Sequence, residues 1–412
     1  MKESETKQAP ISETTQAPIS ETAQEPMTET MQVPMTVGFD GKRAVRNGTG
    51  LGNYSRYAID TLSRHYPALQ LNVYASGGPG RLLLTPANAN MHIVAPAGLI
   101  GRRLPGLWRL DGMARQAADD GAAVFHGLSN ELPADSGALP SVVTVHDVIW
   151  RRYPRDYKFI DRKLYDAKYG SSMRRADRVI AISECTARDI QSDFGIPAEK
   201  IDIIHQGIDP QFGSVDVATV SAVRAKYHLP GRYIAAVGTV QGRKNQLLAV
   251  KALRALPLDL HLVIVGRRTD YATQIDDYAR RHGLTDRIVW LQGVPFSDLA
   301  AIYAGAEVTS YPSRYEGFGL PIAESIACGT PVVAATGSCL EEAGGPGALY
   351  VDPDDDEAFA HNVRLITDDS ALRARMIAAG QEYAKRFNTA TFATETMRSY
   401  LRAIESYKQN KR

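Results

Sequence analysis

Pro312-Ser-Arg-Tyr-Glu-Gly-Phe-Gly-Leu-Pro-Ile-Ala-Glu324 follows a hydrophobic run, Ala306 to Tyr311, that reads as a buried strand ending at Pro312. Pro321 then opens a helix carrying Ile322, Ala323 and Ile326, since proline suits the first helical turn, where its missing N–H costs nothing. Gly317 and Gly319 stand just before that helix. A helix start offers free N–H groups and a partial positive charge, and glycine lets a ligand approach the backbone closely. Strand, glycine loop and helix are therefore aimed at an anion. Glu316 in the loop and Glu324 in the first helical turns frame the unit. Carboxylates do not bind phosphate, but each can accept two O–H donors, as from a vicinal diol. An anion-binding backbone between two such carboxylates fits a ligand with phosphates in the middle and sugars at both ends, as in a nucleotide sugar. Taken singly, either glutamate reads as a solvated surface charge; the bracket around Gly-Phe-Gly-Leu-Pro favours the ligand.

Upstream, Tyr233 to Gly238 reads as the first strand of a second domain. Its loop, Thr239-Val-Gln-Gly-Arg-Lys-Asn245, brings Arg243 and Lys244 to the next helix start. Cations are better placed at a helix C-terminus, so two of them here imply an anion between. Arginine grips phosphate bidentately and lysine adds a point charge, although a plain surface pair is the ordinary alternative. Leu260 to Val265, Arg287 to Leu291, Pro331 to Ala335 and Ala348 to Val351 continue the strands. Gly266, after its strand, lies where a nucleotide would cross the sheet, and Gly293 to Asp298, with Val294, is expected to line a base pocket. Asp352-Pro-Asp-Asp-Asp356 looks like a metal cluster, but aspartate between a strand and a helix is ordinary capping.

The first half shows the same alternation. Met35 to Asp40, Leu69 to Tyr74, Met91 to Ala95, Ala122 to His126, Ser141 to Val145, Arg178 to Ile182 and Ile201 to His205 read as strands, most of them followed by a helical stretch. Such alternation implies a parallel sheet wrapped by helices, with ligands at the carboxyl ends of the strands. His146, in Val142-Val-Thr-Val-His-Asp147, stands at such an end, where imidazole can donate to a phosphate or sugar hydroxyl. His126 in the neighbouring strand is a second candidate. Gly48, Gly50 and Gly52 form another glycine loop at a helix start, a weak signal alone. Two stretches, Gly98 to Leu110 and Arg151 to Phe159, interleave cations with apolar and aromatic residues. They read as solvated helix faces with ordinary core contacts, or as a surface for anionic lipid.

The chain has 412 residues, of which 44% are hydrophobic, enough for two domains with real cores. A net charge of +1 argues against a nucleic-acid partner. Cys185, Cys328 and Cys339 are far apart and make no metal-ligand pattern; so sparse and odd a set suggests a reducing compartment. No apolar run is long enough for a membrane span, and Met1-Lys-Glu-Ser-Glu-Thr lacks a signal-peptide core, so a cytoplasmic location is expected. Residues 1–34 form a low-complexity tail with Pro10, Pro18, Pro26 and Pro34 in register. Its few large apolar side chains cannot offset the ordering entropy, so disorder is expected.

Glu316-Gly-Phe-Gly-Leu-Pro with Glu324 resembles the paired-glutamate motif of the retaining GT-B glycosyltransferases, in particular the bacterial mannosyl-, glucosyl- and related transferases of surface polysaccharide assembly. The Arg243-Lys244 loop and the Val-His-Asp around His146 are similar to the same family, and the resemblance runs from about Met35 to the C-terminus. His205-Gln206 departs from the family's Tyr-Asn or His-Asn pair. The resemblance implies an α/β fold of GT-B type, two Rossmann-like, doubly wound parallel-sheet domains facing a central cleft. It divides the chain into an acceptor-side domain at 35–205, a linker at 206–231, a nucleotide-sugar domain at 232–388 and a helix at 389–412 crossing back to the first domain.

By the same resemblance, Glu316, His146, Lys244 and Arg243 are catalytic, with Glu316 beside the donor sugar and the two cations on its diphosphate. Glu324 holds the ribose; Gly317, Phe318, Gly319, Leu320, Gly266 and Val294 surround the donor; Gly50 and Gly52 face its phosphates and the acceptor. The implied reaction moves a hexose, first of all mannose from GDP-mannose, to a hydroxyl of a glycan or polyprenyl-linked glycan, with retention. UDP- and other nucleoside-diphosphate hexoses are alternative donors, and a peripheral contact with an anionic membrane stays open. No metal and no cofactor are implied. Glycoside hydrolysis is disfavoured, because Glu316 and Glu324 share one loop-helix unit instead of flanking a bond from two walls. A nucleotide-sugar epimerase of the same fold and a non-enzymatic sugar-binding protein remain alternative readings.

Overall fold

The computed structural model describes residues 34–76, 82–86 and 88–411. The repeat tail lies outside them except for Pro34. Among the described residues the strands are β1 Thr36–Asp40, β2 Gln70–Tyr74, β3 Met91–Val94, β4 Val124–Gly127, β5 Ser141–Val145, β6 Arg178–Ala181 and β7 Ile201–Ile203, followed by β8 Arg232–Val237, β9 Leu260–Val265, β10 Ile288–Leu291, β11 Val308–Tyr311, β12 Val332–Ala335 and β13 Ala348–Val351. They form a seven-stranded sheet in the order β3-β2-β1-β4-β5-β6-β7 and a six-stranded sheet in the order β10-β9-β8-β11-β12-β13. Neighbouring strands are parallel, as in β1 with β4 and β8 with β11. Parallel strands are covered on both faces, so they read as unbroken apolar runs. Val142, Val143 and Val145 of β5 and Leu262, Val263 and Ile264 of β9 are accordingly buried.

Each sheet reverses its winding once, between β1 and β4 and between β8 and β11. Helices on both sides of a reversal diverge, which leaves a crevice at the carboxyl ends of the strands. The loops after β8 and β11 therefore meet at the crevice of the second sheet. Gly50 and Gly52 are not in a loop: the helix Gly50–His65 begins at the first of them. The segment read as a linker, 206–231, holds a helix, Val217–Lys226, whose Val220 and Val223 pack with Tyr233 and Val263 of the second sheet.

The helix Thr389–Asn410 returns to the first sheet. Asn388 Oδ1 caps it by accepting from the Thr391 N–H at 2.8 Å. Ser399 donates to Asp202 at 2.7 Å, and Arg402 pairs with the same carboxylate at 2.8 Å. The two sheets also touch through loops. Tyr315 donates to Asp189, and Thr186 Oγ1 lies 3.3 Å from the carbonyls of both His146 and Gly317. Glu342 accepts from the Glu184 N–H at 2.8 Å and meets His205. Among the described residues no helix is long and apolar enough to cross a membrane.

Candidate functional site

The loop after β8 ends in a tight turn, Gly242–Lys244, and Asn245 adopts φ 55° before the next helix, Gln246–Ala252. This turn carries Arg243 and Lys244 across the crevice to the loop after β11. Lys244 Nζ donates to Glu316 Oε1 at 2.8 Å and to the Tyr311 hydroxyl at 2.8 Å. Arg243 Nη1 lies 2.8 Å from the same Oε1, and Ser313 donates to it at 2.7 Å. Arg243 also donates to the Tyr315 carbonyl, while its own carbonyl accepts from the Arg314 N–H at 2.8 Å. One carboxylate thus locks both cations, and the backbone locks the two loops.

Burial alone would raise the Glu316 pKa, but Lys244 and Arg243 outweigh it and bring it down to about 2. Burial likewise disfavours the Lys244 ammonium, and Tyr311 and Glu316 overcome that. All three groups are charged at neutral pH. Asp147, which follows β5 and His146, faces this cluster from the first domain: Arg243 and Glu316 both act on it electrostatically. Burial pushes its carboxyl up to about 6, against a hydrogen bond from the Ile149 N–H at 3.1 Å. Below that pH the cluster carries an excess positive charge, which suits a diphosphate.

Gly319 at φ 116° starts the helix Leu320–Ala327, with Pro321 in its first turn. A side chain at Gly317 has no room, because a Cβ there would lie 2.1 Å from the His146 carbonyl oxygen. The loop beneath is fixed by the buried Cys339 thiol, 3.1 Å from the Glu316 carbonyl and 2.9 Å from that of Phe318. Phe318 turns inward between His205 and Phe387, at ring distances of 5.3 and 5.2 Å.

One turn along the helix, Leu320 and Glu324 open on a cavity of about 570 Å³ that Asn53, Arg56 and Tyr57 of the first domain close from the other side. The Glu324 carboxylate accepts a single hydrogen bond among the described residues, from Tyr303 at 3.1 Å. Burial raises its carboxyl to about 7; the Tyr303 bond opposes this and Asp209 adds to it. Among the described residues, the buried Tyr57 hydroxyl, in the same wall, has no partner within hydrogen-bond geometry.

The structure distributes the other candidates differently. His146 is buried, its Nε2–H donates to the Leu128 carbonyl at 2.9 Å, and its ring meets Tyr54 edge-on at 4.5 Å. Burial lowers its pKa to about 4, so it is neutral. His126 is a structural residue. Its ring nitrogens lie 2.8 Å from Tyr400 and 2.8 Å from Thr144, tying the last helix to the first sheet. Gly52 is needed for packing, because a Cβ would lie 1.8 Å from the Asn47 carbonyl, whereas Gly50 faces open space. Gly266 has φ 154° and packs on the Gly238 carbonyl at 2.1 Å from the Cβ position, which accounts for glycine there. Val294 packs with Val237 and Leu299 against the core under the second sheet. Asp355 caps the helix Asp356–Asp368 by accepting from the Ala358 N–H at 2.8 Å. Sequence reasoning passed over Tyr311, Ser313 and Asp147. Asp147 alone carried a signal, an acid directly after a strand-end histidine.

With this geometry in place, likeness to known proteins is informative. Residues 224–383, which hold Arg243, Lys244, Glu316 and Glu324, match the family Glycosyl transferases group 1, and residues 56–212, which hold His146, match Glycosyltransferase Family 4. O-antigen chain mannosyltransferase B of Escherichia coli is 30% identical over 286 residues, covering 67% of this chain and 74% of that protein. The chain belongs to the group 1 glycosyltransferases. A second relative, O-antigen chain mannosyltransferase RfbU of Salmonella typhimurium, is 30% identical over 54% of this chain but only 60% of its own length. Among solved structures, Anabaena HepE in complex with UDP-glucose superposes with a TM-score of 0.68 at 18% identity, over 89% of this chain and 99% of that one. The glycosyltransferase WaaG, involved in lipopolysaccharide biosynthesis, gives 0.65 at 16% identity, over 88% and 98%. The two facing sheets are the GT-B fold.

Proposed function

We propose that this chain transfers mannose from GDP-mannose to a hydroxyl of a surface-polysaccharide glycan, with retention at the anomeric carbon and without a metal. The observation that carries the reading is the convergence of Arg243, Lys244 and Glu316 at the winding reversal of the second sheet, one helical turn from the cavity that holds Glu324. In this reading Arg243 and Lys244 stabilise the diphosphate as the bond from C1 to its oxygen breaks, work otherwise done by a metal ion. The acceptor oxygen bonds to C1, and its proton passes to the departing phosphate oxygen. Glu316 orients the donor sugar and holds both cations in place. Glu324 and the Tyr57 hydroxyl offer an acceptor and a donor to the nucleoside sugar. The O-antigen mannosyltransferases among the relatives support mannose as the sugar.

The test is incubation with GDP-mannose and mannose-terminated oligosaccharides in EDTA, read by mass spectrometry and anomeric proton NMR. An α-linked hexose added to the acceptor is expected. A β-linked product, or donor consumed with no transfer, would refute it.

A further inference from the structure

The backbone on either side of Glu316 is fastened from both domains. Arg314 gives its N–H to the Arg243 carbonyl at 2.8 Å, while its own carbonyl accepts from the Tyr153 hydroxyl of the first domain at 3.4 Å. The Tyr315 carbonyl accepts from the Arg243 guanidinium, while the Tyr315 hydroxyl donates to Asp189 of the first domain. On the far side of Glu316, the Gly317 carbonyl faces the Thr186 hydroxyl of the first domain at 3.3 Å. Arg314, Tyr315 and Gly317 thus each reach the first domain, and the carboxylate that holds Arg243 and Lys244 stands among them.

Of these contacts the one from Tyr315 to Asp189 is the strongest by chemistry. Asp189 lies on the helix Glu184–Phe194, whose start is fixed by Ser183 accepting from the Thr186 N–H at 3.0 Å. One Asp189 oxygen accepts from Tyr315 and the other pairs with Arg152. Tyr315 and Asp189 are both buried, and a hydrogen bond onto an ionised carboxylate is stronger than one between neutral groups. Burial, and after it Asp189, raise the Tyr315 pKa, so the phenol keeps the proton it donates. The charges suited to a diphosphate are paired differently. Lys244 with Tyr311 and Glu316, and Ser313 with Glu316, all lie within the second domain.

We propose that Tyr315 and Asp189 are positioning residues for the transfer: through this one hydrogen bond the first domain sets the angle of the Glu316 carboxylate. The inference rests on the role proposed above for Glu316 beside the donor sugar. Donor binding draws on pairs inside the second domain and is largely independent of the bond, whereas the aim of Glu316 at the reacting carbon depends on it. A displacement of about 1 Å at such a group slows a reaction on the order of 100-fold.

Tyr315→Phe removes one hydroxyl and keeps the ring. In transfer from GDP-mannose its kcat is expected to fall about 10- to 100-fold, with donor KM and GDP affinity within about threefold of the parent. Asp189→Ala should show the same split, and the double variant should be no slower than the slower single, because one bond is lost in all three. Hydrogen exchange of the GDP-bound full chain reads the same joint without catalysis. Amides of residues 314–317 should exchange at least about fivefold faster in Tyr315→Phe, with those of β9 unchanged. A parent that transfers no sugar would count against the proposed function and leave the exchange result to decide this inference. Unchanged exchange, a kcat within about threefold of the parent, GDP affinity lost in step with kcat, or effects that multiply in the double variant would overturn it.

Discussion

The carboxyl ends of the two sheets are built from opposite materials. At the second sheet, Arg243, Lys244 and Glu316 stay charged although each is at most 16% exposed, because each is another's partner. At the first sheet, His126 and His146 are neutral, and their rings meet Thr144 and Leu128 of that domain and Tyr400 of the returning helix. A buried charged cluster is costly unless fully paired, and removing one partner leaves the others uncompensated. Neutral histidines in a core cost little and mainly hold elements together. On the proposed reading, ligand chemistry falls to the second domain and the histidines of the first serve as scaffold, and substitutions can break that division.

The largest effect belongs to the cluster. Glu316→Gln and Lys244→Ala should each lower transfer by about 100- to 1000-fold, and both should lower the melting temperature, Glu316→Gln more because it strands two cations. Rates near the parent in either would undo the division. Gly317→Ala comes next. Its Cβ would press on the His146 carbonyl oxygen, where the two domains touch, so the strain should cost about 1–3 kcal/mol in denaturant unfolding and slow transfer. His126→Ala should cost about 2–4 kcal/mol of stability by opening the joint to Tyr400, yet leave GDP affinity within about twofold. A loss of affinity there would return His126 to the ligand.

Two smaller effects concern pH. The folded pKa of Glu324, about 7, lies above its ordinary value of 4.5, so its stabilising contribution is complete below 4.5 and lost as pH rises through 7. Glu324→Gln should flatten the decline in unfolding free energy over that window, by no more than about 3 kcal/mol, while weakening donor binding. The contrast with Glu316, whose folded value of about 2 makes its contribution vanish only in acid, separates two glutamates of one short segment. Asp147 should act on the donor. As it ionises above about 6 it offsets the positive cluster, so GDP-mannose affinity should fall about two- to fivefold from pH 5 to 7, and Asp147→Asn should remove that dependence.

Much of the fold was legible because parallel strands are buried on both faces. Each of the thirteen strands among the described residues corresponds to an apolar run readable in the sequence, with ends shifted by a residue or two. The helix Val217–Lys226 was not, since its apolar residues, Val217, Val220 and Val223, are separated by polar and small ones and only one face is covered. At the site, Arg243 and Lys244 were conspicuous as cations near a helix start, and the glutamates were marked by glycines and proline. Asp147 gains its environment only when the two domains face each other. His126 looked like a ligand group because its partner, Tyr400, lies 274 residues away in sequence.

Calorimetric titration of the full chain with GDP in EDTA, beside Lys244→Ala, tests the central claim most directly. The paired cluster predicts metal-independent binding by the parent, weakened at least about tenfold in the variant. Equal affinity in both, or binding that requires magnesium, would contradict it.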